Sequence, residues 1–302
     1  MIYVLGSTTV DMVAKVPYVP VSGETLRAEK FYSGVGGKGA NQAVAVAKLG
    51  GSVKFIGKTG DDPNGRAVKD QLTASGVDTA HLGVSALPTA TGMIMVINGD
   101  NRIVLSTGAN FDFGEEDVDE GLADAKAGDY LVLQLEIPME TVVYAAEQAK
   151  KKKMTVILNP APAASLPERL TENVDIICPN ESETAILTGV EVKDELSLAA
   201  AVSALLRTGA KKAVITMGDK GAYIAEDGVI THIPARKVDA VDTTGAGDTF
   251  IGAMTLKLSE GENLEKACRF AAVASSIAVT REGAAAAIPT REETEKIQAQ
   301  KS

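Results

Sequence analysis

Tryptophan is absent from this 302-residue chain, and all aromatic residues together make up 4%. A core is assured at this length, with 45% of residues hydrophobic, but it must be aliphatic, built from Val, Ile, Leu and Ala. Only two cysteines occur, Cys178 and Cys268, far apart and without C-x-x-C spacing. This pattern predicts buried, reduced thiols rather than a disulfide. The two histidines, His81 and His232, are too few for a His/Cys zinc site, and neither sits in a nucleophile motif, so Ser-His-Asp chemistry is not expected. No uncharged apolar run reaches membrane-spanning length. The opening residues, with a strand-like run at 2–5, lack the basic and apolar regions of a secretory signal. A cytoplasmic location is the expectation. Positive charge is in deficit: 30 bases against 40 acids give a net charge of −10. That disfavours nucleic acid and anionic membranes as partners. It leaves room for an anionic small molecule, which backbone N–H groups can bind within an acidic protein.

Repeats and low-complexity linkers are also missing. What remains is an alternation of short apolar runs and helical patterns. Candidate core strands are 2–5, 53–56, 130–134, 155–158, 174–178 and 213–217; candidate helices are 39–49, 63–75, 115–126, 138–152, 181–188, 194–208, 246–259 and 263–280. Near-continuous apolar strands separated by helices predict an α/β fold, a mostly parallel central sheet covered on both faces, within one domain spanning 1–302. Ligands of such sheets lie beyond the carboxyl ends of the strands. Two regions break the pattern. Residues 25–33 alternate in polarity, and 91–107 read as two strands around Asn98-Gly99, a hairpin signal. Neither is followed by a crossover helix. With 9–15, they are expected to form a small antiparallel β lid (approximately 9–15, 25–34 and 91–107) that covers the active site, a second subunit, or both. The Lys150–Lys153 run reads as the cationic close of a helix.

The densest chemical signal is D-T-T-G-A-G-D-T-F at 242–250. Two glycines precede an apolar run, which reads as a loop opening into a buried helix. The first turn of a helix presents unpaired N–H groups and the positive end of its dipole, a site for phosphate. Asp248 at the mouth of such a site would repel an anion unless it has a task there. One task is to accept the proton of a hydroxyl that attacks a phosphoryl group; the structural alternative is a first-turn helix acid.

Gly34 to Gly39 match G-x-G-x-x-G ahead of a helix, with Asp61 or Asp62 as a possible ribose acid. The dinucleotide reading requires a buried strand before the glycines, and the charged segment LRAEKFYS is not one. Lys38 is followed by Gly39 rather than Ser or Thr, which excludes a Walker loop. The same glycines could instead bring N–H groups to a polar ligand, with Lys38 and Asn41 as directed donors. Thr9 and Asp11 follow the first strand, and Glu136 ends another. Asn180 and Glu183 fit a capping box, and the two acids of this segment could also hold hydrated Mg²⁺, a compatible role. The stretch Thr216 to Gly221 ends a further strand with two glycines, a place for a nucleotide. Five strands ending in polar or glycine-rich segments on one sheet edge make a site.

Taken together, these motifs resemble the ribokinase/PfkB-type sugar kinase family over nearly the whole chain. G-G-K-G-A-N-Q-A (36–43) and D-T-T-G-A-G-D-T-F-I-G-A (242–253) are its two signatures in order, with Q-L-E-I-P (134–138), L-N-P-A-P-A (158–163) and P-N-E-S-E (179–183) between them; T-R-E-G-A-A (280–285) also points to its ribokinase branch. The resemblance implies ATP-dependent phosphorylation of the 5-hydroxyl of D-ribose by a homodimer paired through the β lid. It implies that Asp248 is the catalytic base and that the N–H groups of Gly245, Ala246, Gly247 and Asp248 form an anion hole. Thr9, Asp11, Gly37, Lys38, Asn41 and Glu136 would hold the sugar. Asn180, Thr216, Gly218, Gly221 and Gly247 would lie along the nucleotide, with Glu183 near Mg²⁺. K⁺ would be held by Asp242 and by carbonyls of Thr244, Ala278, Arg281 and Gly283. Two departures stand out. Thr9 replaces the usual Asn, which removes amide donors and keeps 2-deoxyribose, or another furanose or nucleoside, open as acceptor. Ala287 replaces a Ser beside the cation loop, which predicts weaker K⁺ activation. An NAD(P)-dependent oxidoreductase and a non-catalytic sugar-binding regulator remain as rivals.

Overall fold

The computed structural model describes residues 1–97 and 100–300. Its thirteen described strands are β1 (Ile2–Leu5), β2 (Thr9–Lys15), β3 (Lys30–Gly36), β4 (Val53–Gly60), β5 (Asp78–Ser85), β6 (Thr91–Ile97), β7 (Asp100–Ser106), β8 (Tyr130–Leu133), β9 (Thr155–Leu158), β10 (Ile176–Ile177), β11 (Lys212–Thr216), β12 (Ala222–Glu226) and β13 (Val229–Ile233). The helices are α1 (Lys38–Lys48), α2 (Pro63–Ala74), α3 (Glu115–Gly121), α4 (Met139–Lys151), α5 (Glu168–Thr171), α6 (Glu181–Thr188), α7 (Glu195–Arg207), α8 (Ala246–Ser259), α9 (Leu264–Ala278) and α10 (Arg291–Ala299).

Nine strands form the main sheet, in the order β13-β12-β11-β10-β9-β8-β1-β4-β5. From β11 to β5 every neighbour is parallel; β12 and β13 add an antiparallel hairpin at one edge. Alternation along each strand divides the core in two. Ile2, Val4, Phe55, Val132 and Ile157 face α1, α8 and α9, whereas Tyr3, Leu5, Leu131, Leu133 and Leu158 face α4 and α7. Full burial of each such aliphatic side chain is worth roughly 1.5–3 kcal/mol. The chain runs outward from β1 through β4 to β5, then returns to the other side of β1 and runs from β8 to β11. Strand order therefore reverses between β1 and β8, which opens a crevice beyond their carboxyl ends.

The second sheet has the order β3-β2-β6-β7. Its outer pairings are antiparallel and the central β2–β6 pairing is parallel. The Asn98-Gly99 turn lies outside the described residues. β3 begins five residues later than the polarity pattern at 25–33 suggests; ahead of it, Glu29 N–H to the Lys15 carbonyl (2.8 Å) is the one backbone bond that ties 25–29 to β2. Two expected elements are shorter than their sequence pattern. Only Ile176–Ile177 of 174–178 pairs with both neighbours, and the helix over 115–126 stops at Gly121. Among the described residues, no helix is long and apolar enough to cross a membrane.

Candidate active site

Asp248 occupies the first turn of α8. The turn starts at Gly245, whose φ of 73° lies in the left-handed region that favours glycine. A Cβ there would stand 3.1 Å from Ala284, so the glycine also lets the 283–288 loop pack on the helix tip. Thr249 N–H closes the first helical bond to the Gly245 carbonyl at 2.8 Å. Ahead of it, Gly247 and Asp248 N–H have no partner among the described residues, whereas Ala246 N–H donates to the Thr243 carbonyl at 3.2 Å. Gly245 N–H is likewise without a partner among the described residues, so three of the four expected anion-hole donors are open and Ala246 is engaged in a turn.

The Asp248 side chain is 7% exposed and both carboxylate oxygens accept hydrogen bonds. Asn41 Nδ2 donates to Oδ2 at 3.0 Å and Gln42 Nε2 to Oδ1 at 3.0 Å. Burial raises the Asp248 pKa above the ordinary carboxylate value; the Lys38 ammonium and the two amides oppose that shift without cancelling it. Burial alone would lower the Lys38 pKa, but Asp248, Glu136 and Glu183 outweigh it, and Lys38 is held protonated. Burial likewise raises Glu183, against the Asn180 N–H and Lys38. Three acids thus act on one half-buried cation at the sheet edge.

On one side of Asp248, Glu136 accepts from Ser7 Oγ and from Lys38 N–H (2.9 Å). Gly37 caps α1 with a φ of 91°, and a Cβ there would sit 2.7 Å from Thr8 Cα, so only glycine brings α1 this close to the end of β1. Asp11 lies opposite Gly92 on β6, and its carboxylate occupies space that Cβ atoms at Gly36 and Gly92 would take. Thr9 Oγ1 donates to Asp11 Oδ1 at 3.1 Å. Burial raises the Asp11 pKa, with Glu136 adding to it and Thr9 opposing. These groups form a polar nest between the small sheet and the crevice.

On the other side, two adjoining cavities share Asn180, Thr216, Thr243 and Gly247 in their walls. The inner one, about 200 Å³, is bordered by Lys38, Glu183, Gly245 and Asp248. The outer one, about 730 Å³, is bordered by Gly218, Gly221 and Ala246, and is large enough for a nucleotide-sized ligand. Arg236 and Lys237 also border it; nothing in the local sequence of 235–240 flags them. Asn180 and Glu183 form the expected reciprocal capping box, 2.8 Å each way.

Asp242 Oδ1 accepts from Thr244 N–H (2.9 Å) and Oδ2 from Gly283 N–H (3.0 Å). Those bonds join the α8 loop to the 278–288 segment, where Arg281 N–H donates to the Ala278 carbonyl at 3.1 Å. One carboxylate beside neutral carbonyls suits a monovalent cation chemically. The Ala287 side chain is buried and offers no oxygen. Nearby, Lys48 Nζ donates to the carbonyls of Ala285 (2.9 Å), Ala286 and Ile288 (3.3 Å each), a contact made across more than 230 residues that local pattern cannot reveal. Gln42 and Ser7 are further participants missed from sequence; Gln42 lay within the G-G-K-G-A-N-Q-A signature, beside Asn41. The dinucleotide reading of Gly34 to Gly39 fails on topology: β3 belongs to the small sheet and pairs antiparallel with β2, not to the parallel sheet.

Residues 1–291 match the model of the pfkB family carbohydrate kinases. The chain is 44% identical over 293 residues to a ribokinase of Haemophilus influenzae, covering 96% of each. It is 38% identical to a deoxyribokinase of Salmonella typhi, covering 97% of this chain and 96% of that one. Among solved structures, it is similar to an Arabidopsis thaliana ribokinase complexed with ribose and ATP, with a TM-score of 0.92 and 31% identity over 98% of this chain and 97% of that one.

Proposed function

Because the chain belongs to the pfkB family of carbohydrate kinases, we propose that it transfers the γ-phosphoryl group of ATP to the 5-hydroxyl of D-ribose. The single observation that carries this reading is the position of Asp248. It borders the cavity of about 200 Å³ that adjoins the one of about 730 Å³, and it is bonded to Asn41 of α1, the helix whose first N–H is held by Glu136 of the polar nest. The nest holds the sugar through Asp11, Asn41, Lys38 and Glu136. The larger cavity takes the nucleotide along Asn180, Thr216, Gly218 and Gly221. The open N–H groups of Gly247 and Asp248, with the α8 dipole, stabilise charge on the transferring phosphoryl group. Asp248 cannot strip a free alcohol in advance; it accepts the proton as the sugar oxygen bonds to phosphorus and that proton becomes acidic. Positioning and charge stabilisation therefore supply most of the acceleration.

Glu183 would lie near a hydrated Mg²⁺, which when bound neutralises phosphate charge. Asp242 and the carbonyls of Thr244, Ala278, Arg281 and Gly283 would hold K⁺. Its influence is weak on this reading, because Ala287 supplies no ligand and Lys48 already satisfies three carbonyls of the same loop. The small sheet acts as a lid and as the contact of a homodimer. Phe31, Met93 and Val104 share one face of it, in register through Ala14 and Met12, and each is more than half exposed, an apolar face that a second copy of the sheet would cover. A cytoplasmic location fits two buried, unpaired thiols.

A specific observation favours 2-deoxyribose as a second acceptor: the Thr9 hydroxyl proton is already committed to Asp11, so Thr9 donates nothing to a 2-hydroxyl. The test is ADP release with ribose, 2-deoxyribose, arabinose, fructose and nucleosides, each with and without K⁺. Turnover with ribose or 2-deoxyribose well above the others supports the proposal. Absence of ADP release with every sugar, or NAD(P)H oxidation in its place, would remove it.

A further inference from the structure

The geometry points to Gln42 as the positioning residue that makes the two oxygens of Asp248 unequal, holding Oδ1 fixed so that Oδ2 alone accepts the proton of the sugar hydroxyl. This rests on Asp248 being the base and assigns how that base is aimed. Gln42 is fully buried. Its Nε2 donates to Asp248 Oδ1 (3.0 Å) and to Asn159 Oδ1 (3.2 Å), while its Oε1 accepts from Gln134 Nε2 (2.6 Å). Asn159 is fixed in turn by donating from Nδ2 to the Cys178 carbonyl at 3.0 Å. The chain Gln134–Gln42–Asn159 thus ties the ends of β8, β9 and β10 to one oxygen of the base. Gln134 Oε1 itself is buried without a partner among the described residues, but with one donor on its Oε1 and two acceptors at its Nε2, Gln42 cannot rotate without breaking three bonds inside the core.

Asn41 is held differently. It reaches Asp248 Oδ2 at 3.0 Å, but its own Oδ1 has no partner among the described residues despite burial. A buried amide oxygen without a donor is costly, and a sugar hydroxyl donating to it would relieve that cost. With no second bond holding its amide, Asn41 can leave Oδ2 when the sugar binds, whereas Gln42, held by three bonds, cannot leave Oδ1. The hydroxyl proton then passes to Oδ2 as the sugar oxygen bonds to γ-phosphorus and the bond from phosphorus to the β–γ bridging oxygen breaks, leaving ADP and the phosphorylated sugar. Oδ1 stays bonded to Gln42 throughout, which fixes the carboxylate plane.

The experiment compares steady-state kinetics and pH profiles of Gln42→Met and Gln42→Glu with the unaltered enzyme. Gln42→Met should lower kcat by about 10–100-fold, with KM for sugar and ATP within about threefold. Its acid limb should move to higher pH, because the lost donor favoured the charged carboxylate. Gln42→Glu should keep activity at the acid end, where a neutral carboxyl still donates to Oδ1, and lose it as pH rises and the two carboxylates repel. A purely structural Gln42 would cost stability without creating that alkaline limb. If Gln42→Met does not fold, Gln134→Met removes the outer anchor and should shift the acid limb in the same direction by less. Unaltered kcat and acid limb in a folded Gln42→Met, or no alkaline limb in Gln42→Glu, would overturn the assignment. If Asp248→Asn is inactive in the same assay while the Gln42 variants are unaltered, the base reading survives and the role of Gln42 fails; if Asp248→Asn turns over normally, the base reading itself fails.

Discussion

Gly252 lies one turn after Asp248 on the same face of α8, where that helix rests on α1. A Cβ at Gly252 would stand 2.5 Å from Ala45 Cβ, 2.8 Å from the Gln42 carbonyl and 3.2 Å from Val46 N. Carbon atoms in contact prefer about 3.5–4.0 Å, so Gly252→Ala must separate the two helices locally by about 1 Å. None of the three neighbours is a flexible side chain that can turn aside. The Asn41 and Gln42 bonds to Asp248, now 3.0 Å, would stretch to about 4 Å, beyond hydrogen-bond range. Overpacking of this kind costs about 1–3 kcal/mol, which should lower Tm by several degrees and leave the protein folded at 25 °C. The loss in turnover should be disproportionate, about 10²-fold, since displacement of a catalytic group by about 1 Å suffices for that. The assay is a thermal melt alongside kcat for ATP-dependent sugar phosphorylation. A folded Gly252→Ala protein with unaltered kcat would refute the link between helix spacing and the aim of Asp248.

Thr9→Asn should raise the preference for ribose over 2-deoxyribose by about tenfold in kcat/KM, the value of one added hydrogen bond; an unchanged ratio would detach Thr9 from selectivity. Lys48→Met should lower stability by about 1–2 kcal/mol in urea unfolding and enlarge the ratio of rates with and without K⁺, because three loop carbonyls lose their cation. An unaltered K⁺ ratio would separate Lys48 from that loop's cation response. The acid limb of the kcat/KM profile should lie above the ordinary Asp value of about 3.9. Asp248 works ionised, and burial raises its pKa, so activity is lost as pH falls through that raised value; a limb at or below the ordinary value would contradict the burial argument.

The main sheet was legible where both faces are buried. β1 and β9 coincide with their apolar runs because each strand residue packs into one half of the core or the other. β5 escaped notice because it is an edge strand with alternating, largely polar exposure. The β12–β13 hairpin carried a signal in Asp227-Gly228, whose φ values of 50° and 78° are the left-handed pair a tight hairpin needs. α10 also had one: Thr290 and Glu293 form its capping box. In the site, motif residues such as Lys38, Asn41, Glu136, Asn180 and Asp248 were readable because glycines and strand ends mark them. Ser7, Gln42 and Lys48 were not, since their partners lie 129, 206 and more than 230 residues away, and only the folded sheet edge brings them together.

The most direct test of the account is single-turnover phosphoryl transfer by Asp248→Asn under saturating ATP and sugar. Loss of the proton acceptor should slow transfer by at least about 10²–10⁴-fold, while equilibrium binding of both substrates persists and the fold is retained. Transfer at a rate close to that of the unaltered protein would mean that the carboxylate at the tip of α8 takes no proton, and the mechanism proposed for this site would be wrong.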